Sequence, residues 1–237
     1  MKQDSKLSIP IFVGYDHRER AATNVLIDSL YQNSSCAISI TPLVTDQLVS
    51  MGIYNRERDP KQSTDFSFSR FLVPYLMNYQ GWAIFMDCDM LCTEDINKLW
   101  EQRNDKYSLM CVKHEHIPTN QSKFLGEVQS KYPKKNWSSM MLINCSKCKV
   151  LTPNYVNKAS GLELHRFLWL NDDNLIGEIS SDWNFLISVQ SLGHKDEIPK
   201  LIHWTLGGPW FKEEREKGNF LDDRWFQQRT DSMRLWS

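Results

Sequence analysis

The chain has 237 residues, 41% hydrophobic and 24% charged, which suits one folded domain and excludes a disordered one. Its 28 basic and 29 acidic side chains leave a net charge of −1. That balance provides no broad field for nucleic acid or for a membrane surface, so neither is an expected partner.

Met1–Ser8 is polar and lacks the apolar core of a signal peptide. The apolar runs Trp82–Met86, Leu109–Val112 and Met140–Ile143 fall far short of the ~18 residues a bilayer span requires. A cytoplasmic chain with no transmembrane segment is the expectation. Ile9–Tyr15 is an apolar run of buried-strand type ending at Asp16. Arg18–Tyr31 places Ala21, Val25, Leu26 and Leu30 at helical spacing. Ile38–Val44 suits a second strand, and the charged stretch Asn55–Asp65 an exposed loop. Phe66–Met77 reads as helical despite Pro74, Trp82–Asp87 as the strongest strand, and Asp95–Glu101 as a short helix. Tyr107–Lys113 and Ser138–Asn144 are further strands, Leu162–Leu170 a helix, and Leu201–Trp204 a last short strand. Strand alternates with helix through the first hundred or so residues, which predicts an α/β fold with a mostly parallel central sheet flanked by helices.

Three constellations carry chemistry. Asp87-Cys88-Asp89 follows an apolar strand, and in extended chain residues i and i+2 point to one side. Ligands of open α/β sheets bind beyond the carboxyl ends of strands. Two carboxylates converging there suit Mn²⁺ or Mg²⁺; the bland alternative is a turn in which they cap the next helix. His203 follows Leu201-Ile202 and precedes Gly207-Gly208-Pro209-Trp210. Its imidazole suits a third ligand position, and glycine amides can cradle phosphate. Arg70 lies among aromatic and aliphatic residues, where a planar guanidinium can bridge a carboxylate and a phosphate, or simply snorkel over the core. Asp172-Asp173 and Asp182-Trp183-Asn184 are weaker acidic candidates. Cys145-x-x-Cys148 has metal or redox spacing but no second pair, so two reduced thiols at a strand end is the simpler reading.

The order of these pieces resembles the family 8 glycosyltransferases, the group of glycogenin and the bacterial lipopolysaccharide galactosyltransferases. The resemblance rests on Ile11–Asp16, Ser69–Leu72, Phe85–Leu91, Trp137–Asn144 and His203–Trp210. It implies a single GT-A domain, with a nucleotide-binding half at about 9–100 and a sugar and acceptor half at about 101–237. It implies a UDP-sugar donor, a hydroxyl acceptor, Mn²⁺ or Mg²⁺, and retention at the anomeric carbon. Carried across, Val13, Gly14, Tyr15 and Asp16 form the nucleotide loop, and Arg70 serves the diphosphate and Asp87. Asp87, Asp89 and His203 hold the metal, and Ser138 and Ser139 line the sugar pocket. Gly207, Gly208 and Lys212 are the remaining diphosphate donors, Gly208 standing where well-known members carry a lysine. Asp182 and Asn184 are the candidate counterparts of the family's Asp-Gln-Asp catalytic run. Two rivals stay open: an aspartyl-nucleophile phosphohydrolase, and a nucleotide-sugar-binding protein without turnover.

Overall fold

The computed structural model describes residues 8–59, 62–114, 134–187, 189–192 and 197–234. Of the polar opening stretch only Ser8 falls among them, and Pro60 and Lys61 of the charged loop lie outside them. In chain order the elements begin with β1 (Ile9–Gly14), α1 (Arg20–Gln32), β2 (Ile38–Leu43), α2 (Thr45–Ser50) and α3 (Val73–Leu76). Next come β3 (Trp82–Met86) and β4 (Met90–Cys92), which flank Asp87-Cys88-Asp89, the D-x-D of this chain, then α4 (Ile96–Trp100), β5 (Leu109–Cys111) and β6 (Met140–Asn144). The last part holds α5 (Pro153–Lys158), α6 (Gly161–His165), β7 (Ile176–Glu178), β8 (Phe185–Leu186), β9 (Leu201–His203), α7 (Lys212–Lys217) and α8 (Asp222–Ser232).

Six strands form the main sheet in the order β2-β1-β3-β6-β5-β7. β1 runs parallel to β2 and β3, and β5 parallel to β7. Only β6 is reversed, antiparallel to both β3 and β5. The uninterrupted apolar run of β3 follows from its central place, since Ile84, Phe85 and Met86 have no exposed surface. The reversal of β6 has a consequence for the site. Its amino end, not its carboxyl end, lies beside the end of β3, with Met140 opposite Met86.

A second, three-stranded sheet, β4-β9-β8, grows from the same edge. Met90 pairs with His203, so β9 brings a histidine directly across from the end of the D-x-D. Val25 of α1 and Leu221, Trp225, Leu91, Ile202 and Trp204 pack into a separate core under this small sheet. Trp204 also donates its indole N–H to the buried Asp222 carboxylate at 2.8 Å, which ties β9 to α8.

The expected helix over Phe66–Met77 is broken. A 3-10 turn spans Ser69–Leu72, and α3 starts afresh with Pro74 at its second position. Proline has no N–H and its ring clashes with a preceding helical carbonyl, so it is tolerated only in a first turn. The expected helix over Leu162–Leu170 stops after α6, whose Ser160–Glu163 capping box fixes its start and whose following turn carries Phe167 at φ 56°. α8 was not foreseen: only Asp222 and Trp225 are buried along it, too few for an apolar stripe. Among the described residues no helix is long and apolar enough to cross a membrane.

The Gly207-Gly208 turn is a packing requirement. Gly207 adopts φ 107°, a region that favours glycine, and a Cβ on Gly208 would collide with the Trp210 indole. Trp210 in turn packs on Trp204 and Trp225, with ring centroids 6.1 and 5.4 Å away. Gly208→Ala is expected to destabilise the chain by roughly 1–3 kcal/mol through overpacking, read as a lowered melting temperature.

Candidate active site

The site forms where the carboxyl ends of β1, β3 and β5 meet the amino end of β6. Asp87 and Asp89 flank Cys88, whose side chain is fully buried, so the two carboxylates share the opposite side. His203 reaches them from β9, its Nε2 3.3 Å from Asp89 Oδ1. One ligand atom from each of Asp87, Asp89 and His203 lies within 4.8 Å of the others. Asp89 Oδ1 is buried and accepts no hydrogen bond. Two hard oxygens and an imidazole nitrogen, one oxygen lacking a donor, fit a divalent cation. The helix-cap alternative is not what the structure uses: Asp95 caps α4, accepting from the Asn97 amide at 3.0 Å.

Arg70 is buried against Asp87, Nη1 to Oδ1 at 2.7 Å. Its Nε donates to the Ser67 carbonyl and Nη1 to the Ser138 carbonyl. The guanidinium lies over the Phe66 and Phe85 rings, with CZ 5.2 and 5.0 Å from their centroids. It is therefore neither a loose snorkel nor a free arm; three polar partners and two rings hold it in one place. Ser138 and Ser139 stand at the same edge, both buried. Asn184, fully buried, donates to Ser139 Oγ at 2.8 Å and lies 2.8 Å from His203 Nδ1.

The residues expected to form the nucleotide loop are closely packed. Val13 and Gly14 are buried in the sheet, Gly14 directly under the Phe66 ring, and Tyr15 is half-buried. Burial opposes the charge of Asp16, yet the Arg18 side chain and the amides of Arg18 and Asp65 hold its carboxyl below the usual range. Asp16, His17 and Asp65 also bring ligand atoms within 4.8 Å. There the carboxylates are already met by guanidinium groups, Asp16 by Arg18 at 2.7 Å and Asp65 by Arg58 at 2.6 Å. A cation would have to displace both, so this cluster suits one poorly.

Other expected residues lie apart from the cluster in their contacts. Asp182 is partly exposed and faces Lys200 at 3.7 Å. Lys212 is exposed at the start of α7, 3.8 Å from Glu216. The Gly207 amide is already used within its turn, donating to the Trp204 carbonyl at 2.8 Å. Asp172 accepts from the Asn174 amide, and Asp173 pairs with Lys134 at 2.5 Å. Cys145 and Cys148 are both buried, and burial pushes the Cys145 thiol up to about 12. Neither has the exposed, acidified character of a reactive thiol.

Two site residues were not singled out from the sequence. Glu19, in the 3-10 turn before α1, has a buried Oε2 with no partner. Burial, then the charges of Asp89, Asp16 and Asp87, push its carboxyl well above the usual range. His114, three residues beyond β5, has a buried, unpartnered Nε2. Burial and the nearby His203 press its imidazole down to about 4. The signal for His114 was its place just after an apolar strand; for Glu19 there was none, because it sits inside a helical start.

A carboxyl titrating higher in the folded than in the unfolded chain favours folding at low pH, and that advantage is lost as pH rises. In metal-free protein, Glu19→Gln is therefore expected to melt higher than wild type, by a margin that widens from about pH 5 to about pH 8. A margin independent of pH would place Glu19 in solvent.

The family described as Glycosyl transferase family 8 matches residues 26–214. Protein CDI of Arabidopsis thaliana is 49% identical over 205 residues, covering 85% of this chain and 79% of CDI. The glycosyltransferase GlyE of Streptococcus pneumoniae TIGR4 superposes with a TM-score of 0.62 at 14% identity, covering 97% of this chain and 61% of GlyE. This chain thus spans less than two thirds of GlyE. The galactosyltransferase LgtC, solved with donor and acceptor sugar analogs, gives a TM-score of 0.59 at 13% identity over 97% of this chain and 98% of LgtC. At these identities the two structures establish the fold, which is that of the GT-A glycosyltransferases.

Proposed function

Because the chain belongs to glycosyl transferase family 8, we propose that it moves a sugar from a nucleotide-diphosphate donor, UDP-linked, to an acceptor hydroxyl with retention. The observation that carries this reading is the cluster of Asp87, Asp89 and His203 at the carboxyl edge of the sheet. These three residues would hold Mn²⁺ or Mg²⁺. When bound, the cation supplies neutralisation of the charge that develops on a leaving diphosphate.

The chain's own residues do the rest. Arg70, fixed by Ser67, Ser138 and Asp87, orients the Asp87 carboxylate and adds a fixed positive charge beside the acidic pair. Met86 and Cys88, both fully buried, anchor the strand end on either side of Asp87. Asp182 has the exposure of a group that meets substrate, and it stays the candidate for a contact with the transferred sugar. The pairing of donor and acceptor analogs in LgtC supports a two-substrate reaction. The phosphohydrolase reading is set aside with the family assignment.

The test is a melting and product-release assay with UDP-sugars, with and without Mn²⁺. A ligand that binds only the native state raises the melting temperature by mass action. The expected result is a joint shift with Mn²⁺ and one UDP-sugar, with UDP released. Asp89→Ala should lose both. Full turnover by that variant would refute the metal assignment, and binding without turnover on any acceptor would favour a non-catalytic sugar-nucleotide binder.

A further inference from the structure

The Ser138-Ser139 step, which the family resemblance places in the sugar pocket, is bonded instead to the groups that would hold the cation. The Ser139 carbonyl accepts the Asp87 amide at 2.8 Å, extending the β3–β6 pairing past its last strand residues. The Ser138 carbonyl accepts Arg70 Nη1 at 2.9 Å, and the same nitrogen lies 2.7 Å from Asp87 Oδ1. Asp87 is therefore fixed to this dipeptide twice, once through its backbone and once through its carboxylate.

His203 is fixed to it as well. Ser139 Oγ donates to the Asn136 carbonyl at 2.6 Å, which uses its single proton. The same oxygen accepts from Asn184 Nδ2 at 2.8 Å. That orientation turns Asn184 Oδ1 toward His203 Nδ1, also at 2.8 Å. An amide oxygen only accepts, so Nδ1 is the donor of this contact and Nε2 is the ring nitrogen left to face a cation. Nε2 is the atom that faces Asp89. Ser139, Asn184 and His203 are all buried, so water cannot replace a lost link in this chain. Ser138 Oγ is likewise directed to a protein group, His165 Nδ1, at 2.8 Å.

We propose that Ser139 and Asn184 are positioning residues of the cation centre, and that neither selects the donor sugar. Ser139 sets Asn184, Asn184 sets the tautomer and plane of His203, and His203 Nε2 is thereby aimed at the cation that Asp87 and Asp89 share. This rests on the proposal above that Asp87, Asp89 and His203 bind the cation. Partners of this kind around a metal-bound histidine are worth about 10–100-fold in metal affinity.

The test is a titration of the nucleotide-free protein with Mn²⁺, followed by the loss of the free-ion electron paramagnetic resonance signal. Wild type, Ser139→Ala and Asn184→Ala are compared, each checked by circular dichroism and melting. Ser139→Ala removes one oxygen and keeps the backbone bond to Asp87, so it reports on the relay if Asn184→Ala fails to fold. The expected result is weaker Mn²⁺ binding in both variants by about 10–100-fold, with the kcat/KM ratio between two UDP-sugars unchanged. Folded variants that bind Mn²⁺ like wild type would overturn this inference alone, most clearly if their preference between the two sugars also changed. Wild type that binds no Mn²⁺ would overturn the cation assignment, and this inference with it.

Discussion

The structure turns on the antiparallel approach of β6 to β3. A parallel neighbour would bring its own carboxyl end to this edge, with a loop departing from it. The reversed strand brings instead a compact turn, Trp137–Ser139, whose carbonyls face the first aspartate of the D-x-D. Arg70 fits between the two strand ends because the broken helical segment ahead of β3 delivers it there with Phe66, already packed on the sheet. The same reversal lets one dipeptide touch both Asp87 and the partner of His203.

Charge burial is the second constraint. Asp16, Glu19, Asp87 and Asp89 interact electrostatically across the loops after β1 and β3. Arg18 satisfies Asp16, and Arg70 satisfies Asp87. That leaves Asp89 Oδ1 and Glu19 Oε2 without hydrogen-bond donors. An arrangement so unevenly compensated costs stability as it stands, and is expected where a ligand supplies the missing positive charge. The Asp16 cluster, by contrast, is already neutralised by arginines and behaves as structure.

Much of this was legible in the sequence where a single strong rule applied. The unbroken apolar strand before Asp87 announced its burial and the edge where its carboxylates meet. His203 after Leu201-Ile202 was legible for the same reason, although nothing local revealed that β9 pairs with β4 rather than joining the main sheet. Pro74 was visible and its effect underestimated, since proline restarts a helix instead of bending it. Contacts between distant segments were not legible at all. Asn184 stood in an unpatterned stretch, and its contacts with Ser139 and His203 join segments far apart in the chain. Glycine in the closing turn suggested an anion cradle; its packing against the Trp210 ring and the bond of the Gly207 amide within the turn depend on contacts that no local pattern announces. α8 escaped notice because a helix that buries little beyond one tryptophan leaves no periodic trace.

We propose one cation-dependent sugar-nucleotide site, at Asp87, Asp89 and His203. Its most direct test is anomalous diffraction at the manganese edge from crystals grown with Mn²⁺ and UDP. One strong peak is expected within coordination distance of those three side chains, with the diphosphate beside it. A peak at Asp16, His17 and Asp65 instead, or nucleotide bound away from the D-x-D with no metal there, would contradict it.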